Sequence, residues 1–241
     1  DWLILHDQDG IGQILADRVT AAGGVANLLE HVTPLGEDAG SSIVRVDSSD
    51  PSGFKNLLAN WPQKPGSRRR VVYLWSLDVM SGDETSSESL RTDQEFLCGS
   101  VLHLVQTLAV MDGEKPDLNV ITRGAQAVGT EFDALCPVQA LLWGLGRTVC
   151  SEHPELKCRM IDIDRSAVSD AAEIILQELC GEYAENQVVY RDNRRYGARL
   201  AHWKVPRHMF EDSSSTVLPS NDFFRLEIVE KGVLDRLRLV T

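Results

Sequence analysis

Trp2-Leu3-Ile4-Leu5-His6-Asp7-Gln8-Asp9-Gly10-Ile11-Gly12-Gln13-Ile14-Leu15 sets a short apolar run directly before a glycine-bearing turn and the first residues of a helical pattern. A strand that passes through a Gly-x-Gly turn into a helix opens a βα unit. The helical spacing continues through Val19 and Ala22 and stops at Gly23-Gly24, a pair suited to a helix end. Outward from there, strand-length apolar runs recur at 25–31, 43–46, 71–77, 118–122 and 159–163. Helical patterns lie between them at 89–111, 134–153 and 167–180, the second carrying Gly144 and Gly146, which the pattern reads as close-packing positions. Several runs are continuously apolar, as strands are when helices cover both faces of a parallel sheet. The fold expected is therefore α/β: a Rossmann-like, doubly wound, mainly parallel sheet with helices on both faces.

The C-terminal part reads differently. Runs at 187–190 and 195–201, separated by Asp192-Asn193, suggest a hairpin closing the sheet. A Ser-rich polar stretch then reads as a linker, and 223–241 is a separate strand-like piece, turning at Lys231-Gly232 and too short for a core of its own. The organisation expected is a main domain over 1–204, a linker over 205–222 and a following segment over 223–241.

Charge and composition exclude some roles. At 241 residues and 43% hydrophobic content the chain can bury a full core, and its net charge of −12 repels phosphate backbones and anionic lipid. No nucleic-acid or membrane partner is expected. The start of the chain shows no signal-peptide pattern and no run approaches a spanning length, so a cytoplasmic location is expected. Five cysteines without a CxxC pair are read as reduced and mostly buried thiols.

The chemistry-bearing motifs are incomplete. Gly10 and Gly12 stand where a dinucleotide fingerprint has its first glycines, and Glu30 lies at about the distance of the ribose-binding carboxylate. Leu15, however, replaces the third glycine, and Asp7 and Asp9 put negative charge where a pyrophosphate would lie. The motif reads as a degenerate turn that keeps its structural glycines. None of Tyr73, Tyr183, Tyr190 and Tyr196 is followed four places on by a lysine or asparagine, as reductases of the short-chain type require. The histidines lack metal-ligand spacing, His153 reads as a helix-end residue, and there is no GxSxG elbow or cysteine beside a basic cluster. The acidic stretch 78–93 reads as a solvated loop. Trp75, Leu142, Trp143 and Leu145 are the expected packing and docking anchors.

A family resemblance rests on Val71-Val72-Tyr73-Leu74-Trp75-Ser76-Leu77-Asp78, on 118–128 (LNVITRGAQAV), and on Leu141-Leu142-Trp143-Gly144-Leu145-Gly146-Arg147 running into Glu152-His153-Pro154-Glu155-Leu156. Together with the Asp-Gly-Ile-Gly turn and Arg191, Arg195, Tyr196 and Arg199, these resemble the ketoreductase region of modular polyketide synthases over about residues 1–204. The resemblance implies the N-terminal structural half of such a region, a pseudo-ketoreductase with no catalytic residue, no cofactor and no metal of its own. NADPH and the catalytic group would belong to the catalytic ketoreductase half and to an enoylreductase, whose opening 223–241 resembles. A dehydratase or a carbon methyltransferase of the same module would complete the set of partners. The alternative is an NADPH-dependent oxidoreductase using the Gly10/Gly12 loop.

Overall fold

The computed structural model describes residues 1–31, 44–47, 50–59, 61, 66–79, 86–129, 135–165, 167–181, 183–200, 225–228 and 237–240. They divide into two units, Asp1–Ala198 and Arg199–Thr241. In the first unit the elements are β1 (Trp2–Leu5), α1 (Ile11–Ala21), β2 (Ala26–His31), β3 (Val44–Val46), α2 (Pro51–Ala59) and β4 (Arg70–Tyr73). They continue with α3 (Ser87–Val110), β5 (Asp117–Arg123), α4 (Pro137–Glu152), β6 (Arg159–Ile163), α5 (Val168–Cys180), β7 (Gln187–Arg191) and β8 (Arg194–Gly197).

The strands form one sheet in the order β3-β2-β1-β4-β5-β6-β7-β8, parallel throughout except for the antiparallel pair β7–β8. The order reverses between β1 and β4, and in open α/β sheets the crevice that takes ligands lies beyond the carboxyl ends of the strands at such a reversal. Side-chain alternation splits the core into two layers. Leu3, Leu5, Val71, Tyr73, Leu118 and Val120 join α2, α3 and α4 on one face, whereas Trp2, Ile4, Val72, Leu74 and Ile121 join α1 and α5 on the other. The β7–β8 hairpin turns on Asp192 and Asn193, both left-handed at φ 50° and 58°, as a two-residue turn between twisted strands requires.

Several local readings change. The run at 71–77 is a strand only to Tyr73, because Leu74 leaves the extended region and Trp75–Asp78 coils into a 3-10 turn, with the Ser76 hydroxyl donating to the Ile121 carbonyl. The acidic stretch at 78–93 is not a single loop. Residues 80–85 lie outside the described residues, but α3 already begins at Ser87, where Ser86 and Ser89 form a reciprocal cap. The helix α2 has no counterpart among the helical patterns of the sequence. It starts at Asp50-Pro51, where the Asp50 carboxylate accepts the Ser52 N–H at 2.9 Å, and it buries Phe54 and Leu58. Of the five thiols only Cys136 and Cys158 are buried; Cys98 and Cys150 are half-buried and Cys180 is exposed.

The glycines of α4 have opposite surroundings. A Cβ at Gly146 would meet the Met160 Sδ at 2.3 Å on the sheet, while one at Gly144 would meet nothing within 4 Å, so Gly144 is not the close-packing position the sequence suggested. Gly144→Ala should therefore stabilise the fold by up to about 1 kcal/mol through helix propensity. Gly146→Ala should cost about 1–3 kcal/mol through overpacking against the buried Met160. Urea midpoints for the two variants should move in opposite directions.

In the second unit β9 (Arg225–Ile228) pairs antiparallel with β10 (Leu237–Val240), with Leu226 and Leu239 at one register position of the ladder. The linker at 205–222 and the turn at Lys231-Gly232 lie outside the described residues.

Candidate functional site

The crevice beyond β1 and β4 is lined by the sequence that comes after each strand. Gly10 takes φ 94°, which lets the chain leave β1 and enter α1 without a side-chain penalty. Gly12 is pressed against β1's exit, where a Cβ would lie 2.3 Å from the His6 Cβ. Both glycines thus serve the turn itself. The N-terminus of α1 points its free amides into this turn, and Asp7 occupies them. Its fully buried carboxylate accepts the Ile11 N–H at 3.1 Å and the Gly12 N–H at 2.8 Å. An anion at a helix N-terminus is stabilised by these amides and by the helix dipole, and here the chain supplies the anion from its own side chain.

Two more carboxylates share the crevice. Asp9 pairs with Arg123, at the end of β5, at 3.2 Å, and Asp78, beyond the end of β4, accepts the Gln8 N–H at 2.8 Å. Burial pushes the Asp78 carboxyl up to about 6; the Gln8 hydrogen bond opposes this, and the charges of Asp7 and Asp9 add to it. Glu30, at the end of β2, is turned to Arg45 on β3 at 3.0 Å.

Asp78 makes a pH-dependent contribution. Its folded carboxyl holds a proton more tightly than the unfolded chain, whose carboxyl titrates near 4. The folded state therefore binds the extra proton between about 4 and about 6, so stability falls as pH rises through that window and stays reduced above it. Asp78→Asn keeps an acceptor for Gln8 and removes the charge. It should raise the melting temperature at pH 7.5 by a few degrees and raise it less at pH 5. A gain that does not change with pH would contradict this origin.

Beside the crevice, at the carboxyl ends of β5, β6 and β7, stands a buried polar network. Asp162 accepts the Thr122 hydroxyl at 2.6 Å, the Ala125 N–H at 2.8 Å and the Gln126 N–H at 3.2 Å, and pairs with Arg191. Thr122 in turn accepts the Trp143 indole N–H at 2.9 Å. A second network ties α5 to the closing hairpin: buried Glu178 accepts Arg195 through both oxygens, at 2.7 and 3.0 Å, and the Tyr190 hydroxyl at 2.6 Å. Sequence reading singled out neither carboxylate, because each carries its meaning in partners at least 12 residues away.

The sequence-selected anchors are placed inside the domain. Trp75 is fully buried among His31, Phe54, Tyr73 and Phe96, with ring centroids 5.4 to 6.3 Å away. Leu142 and Trp143 are buried in the layer under α4, and Leu145 is half-buried against it. Trp75, Leu142 and Trp143 thus act by internal packing.

The tyrosines lie apart from the crevice chemistry: the Tyr73 hydroxyl shares a hydrogen bond with the Ser100 hydroxyl in the core at 2.7 Å, the Tyr190 hydroxyl donates to Glu178, and Tyr183 and Tyr196 are exposed. His153 caps the end of α4 and meets Glu155 at 3.0 Å. No group of metal-binding side chains occurs among the described residues. None of their helices is long and apolar enough to cross a membrane.

Residues 26–200 match the family described as polyketide synthase extender module SpnB, Rossmann fold domain. The chain belongs to this family. Relatives of this SpnB-type Rossmann domain are segments of very large synthases. Polyketide synthase GfsA of Streptomyces halstedii is 33% identical over 165 residues, which cover 67% of this chain and 2% of that protein. The pikromycin polyketide synthase component PikAII of Streptomyces venezuelae is 34% identical over 170 residues, covering 70% of this chain and 4% of that one. Among solved structures, a C2-type ketoreductase from a modular polyketide synthase superposes with a TM-score of 0.55 at 25% identity, covering 83% of this chain and 41% of the other. A keto acid-selecting NRPS module with adenylation, ketoreductase and pseudo Asub domains gives 0.69 at 18% identity, covering 81% of this chain and 16% of the other, a likeness of fold alone. The SpnB-type Rossmann domain is thus the Rossmann-like part of a polyketide synthase ketoreductase region.

Proposed function

We propose that this Rossmann domain is a non-catalytic scaffold and docking subdomain, a pseudo-ketoreductase that stabilises a catalytic ketoreductase half and neighbouring processing domains. It would act during β-carbon processing of carrier-bound polyketide intermediates in the cytoplasm. The observation that carries this reading is Asp7, whose carboxylate holds the α1 amides that a pyrophosphate would need. Asp9 and Asp78 add negative charge to the same crevice, and Glu30 is engaged by Arg45. These residues do not fit a dinucleotide, and no tyrosine stands ready to protonate a carbonyl.

On this reading NADPH binds in the catalytic ketoreductase half and in an enoylreductase, for which 223–241 is the opening segment. A dehydratase or a carbon methyltransferase would be the remaining neighbour. The alternative, an NADPH-dependent oxidoreductase, draws on the backbone of the turn, since Gly10 and Gly12 keep the conformation and the close approach of a dinucleotide loop. It would require Asp7 to release its amides.

Ketone reduction by the catalytic half, produced with and without this chain, tests the scaffold. The chain alone should reduce nothing, and its presence should raise the soluble yield and melting temperature of the catalytic half. Turnover by the chain alone, or a catalytic half indifferent to it, would overturn the proposal.

A further inference from the structure

Cys150, in the last turn of α4, and Cys158, directly before β6, line one cavity of about 400 Å3 at the sheet edge where β4, β5 and β6 begin. This edge is opposite to the one that holds Asp7, so chemistry at the cavity is independent of the scaffold reading. The chain reverses between the two cysteines through the 3-10 turn Pro154–Leu156, which brings the end of the helix back to the start of the strand. The Cys150 thiol donates to the Cys158 carbonyl oxygen at 3.3 Å, and both cysteines line the cavity together with Asn186. Cys150 is half-buried with access from the cavity, and Cys158 is buried behind it. Arg68, Arg70, Lys157 and Arg159 stand around the cavity with Asp117 and Glu185, four cations against two carboxylates on a chain of net charge −12.

We propose that Cys150 and Cys158 form a dithiol site that a hydroperoxide oxidises to an intramolecular disulfide. Hydrogen bonding from Cys158 brings the Cys150 thiol down to about 7, against the opposing effect of burial. The same contact, with burial, raises Cys158. Cys150 is therefore the more readily ionised of the two thiols and Cys158 the reserve thiol. In the first step the Cys150 thiolate attacks a peroxide oxygen, an S–O bond forms, the O–O bond breaks, and hydroxide or alkoxide leaves. In the second, the Cys158 sulfur attacks the sulfenic sulfur, the S–S bond forms and the S–O bond breaks. The departing hydroxide takes the Cys158 proton as water. The two sulfurs together lose two electrons and the peroxide gains them.

The test is peptide mass spectrometry of the full chain after brief treatment with hydrogen peroxide at pH 7. A link between the Cys150 and Cys158 peptides, lighter by two hydrogens and reversed by dithiothreitol, is the expected result. In Cys158→Ser the reaction should stop at a sulfenic acid on Cys150 that dimedone traps. Cys98 and Cys180 consumed before any such link forms, or a link found only between two chains, would overturn the proposal.

Discussion

Asp162→Ala should lower stability by about 3–5 kcal/mol, the cost of breaking a buried ion pair from one side. Asp162 is fully buried, and its two oxygens hold the Thr122 hydroxyl, the Ala125 and Gln126 amides and the Arg191 guanidinium. Removing them leaves two backbone donors and a largely buried cation without their acceptor. Thr122 also loses the partner that orients it toward Trp143. A loss of that size is a large share of the roughly 5–15 kcal/mol that holds a typical domain together, so the variant should unfold at a much lower urea concentration. Asp162→Asn, which keeps an acceptor and drops the charge, should fall between the two. A loss below about 1 kcal/mol for Asp162→Ala would mean that the network reorganises around the gap.

Asp7→Ala should cost about 2–4 kcal/mol, because it strips the Ile11 and Gly12 amides of their acceptor in a buried turn. The side chain lost is small and the helix beyond it is unchanged, so the loss would report the cap rather than a cavity. Asp7→Asn retains one oxygen and should lose less. Amide exchange at Ile11 and Gly12 should rise in Asp7→Ala ahead of the rest of α1. Wild-type melting in that variant would show that the carboxylate is not what holds the turn.

The fold was legible where a run of residues carries its own instruction. Residues 2–15 announced a βα unit, the continuous apolar runs announced strands covered on both faces, and Asp192-Asn193 announced a two-residue hairpin turn. Leu77 and Trp75 misled because apolar residues fill a buried 3-10 turn as readily as a strand; the turn is marked by the backbone of Leu74, the Leu77 N–H bond back to the Leu74 carbonyl and the Ser76 hydroxyl bond to Ile121. The helix at Pro51–Ala59 was signalled only by Asp50-Pro51 and a weak Phe54, Leu57, Leu58 stripe, too short to stand out from its polar surroundings.

The site was legible in part. Leu15 and the charges at Asp7 and Asp9 gave the turn its reading as degenerate, but the sequence could not tell that Asp7 turns inward onto the helix while Asp9 reaches Arg123. Asp162 with Arg191, and Glu178 with Arg195, were invisible for the same reason: each pair is assembled by the sheet order, not by spacing along the chain.

The most direct test of the scaffold reading is a calorimetric titration of the full chain with NADPH, repeated as a melting-temperature series. With Asp7 on the α1 amides and three carboxylates in the crevice, no saturable heat and no rise in melting temperature are expected up to about 1 mM cofactor. Saturable binding with a Kd below about 100 μM, accompanied by the stabilisation that such binding must bring, would contradict it.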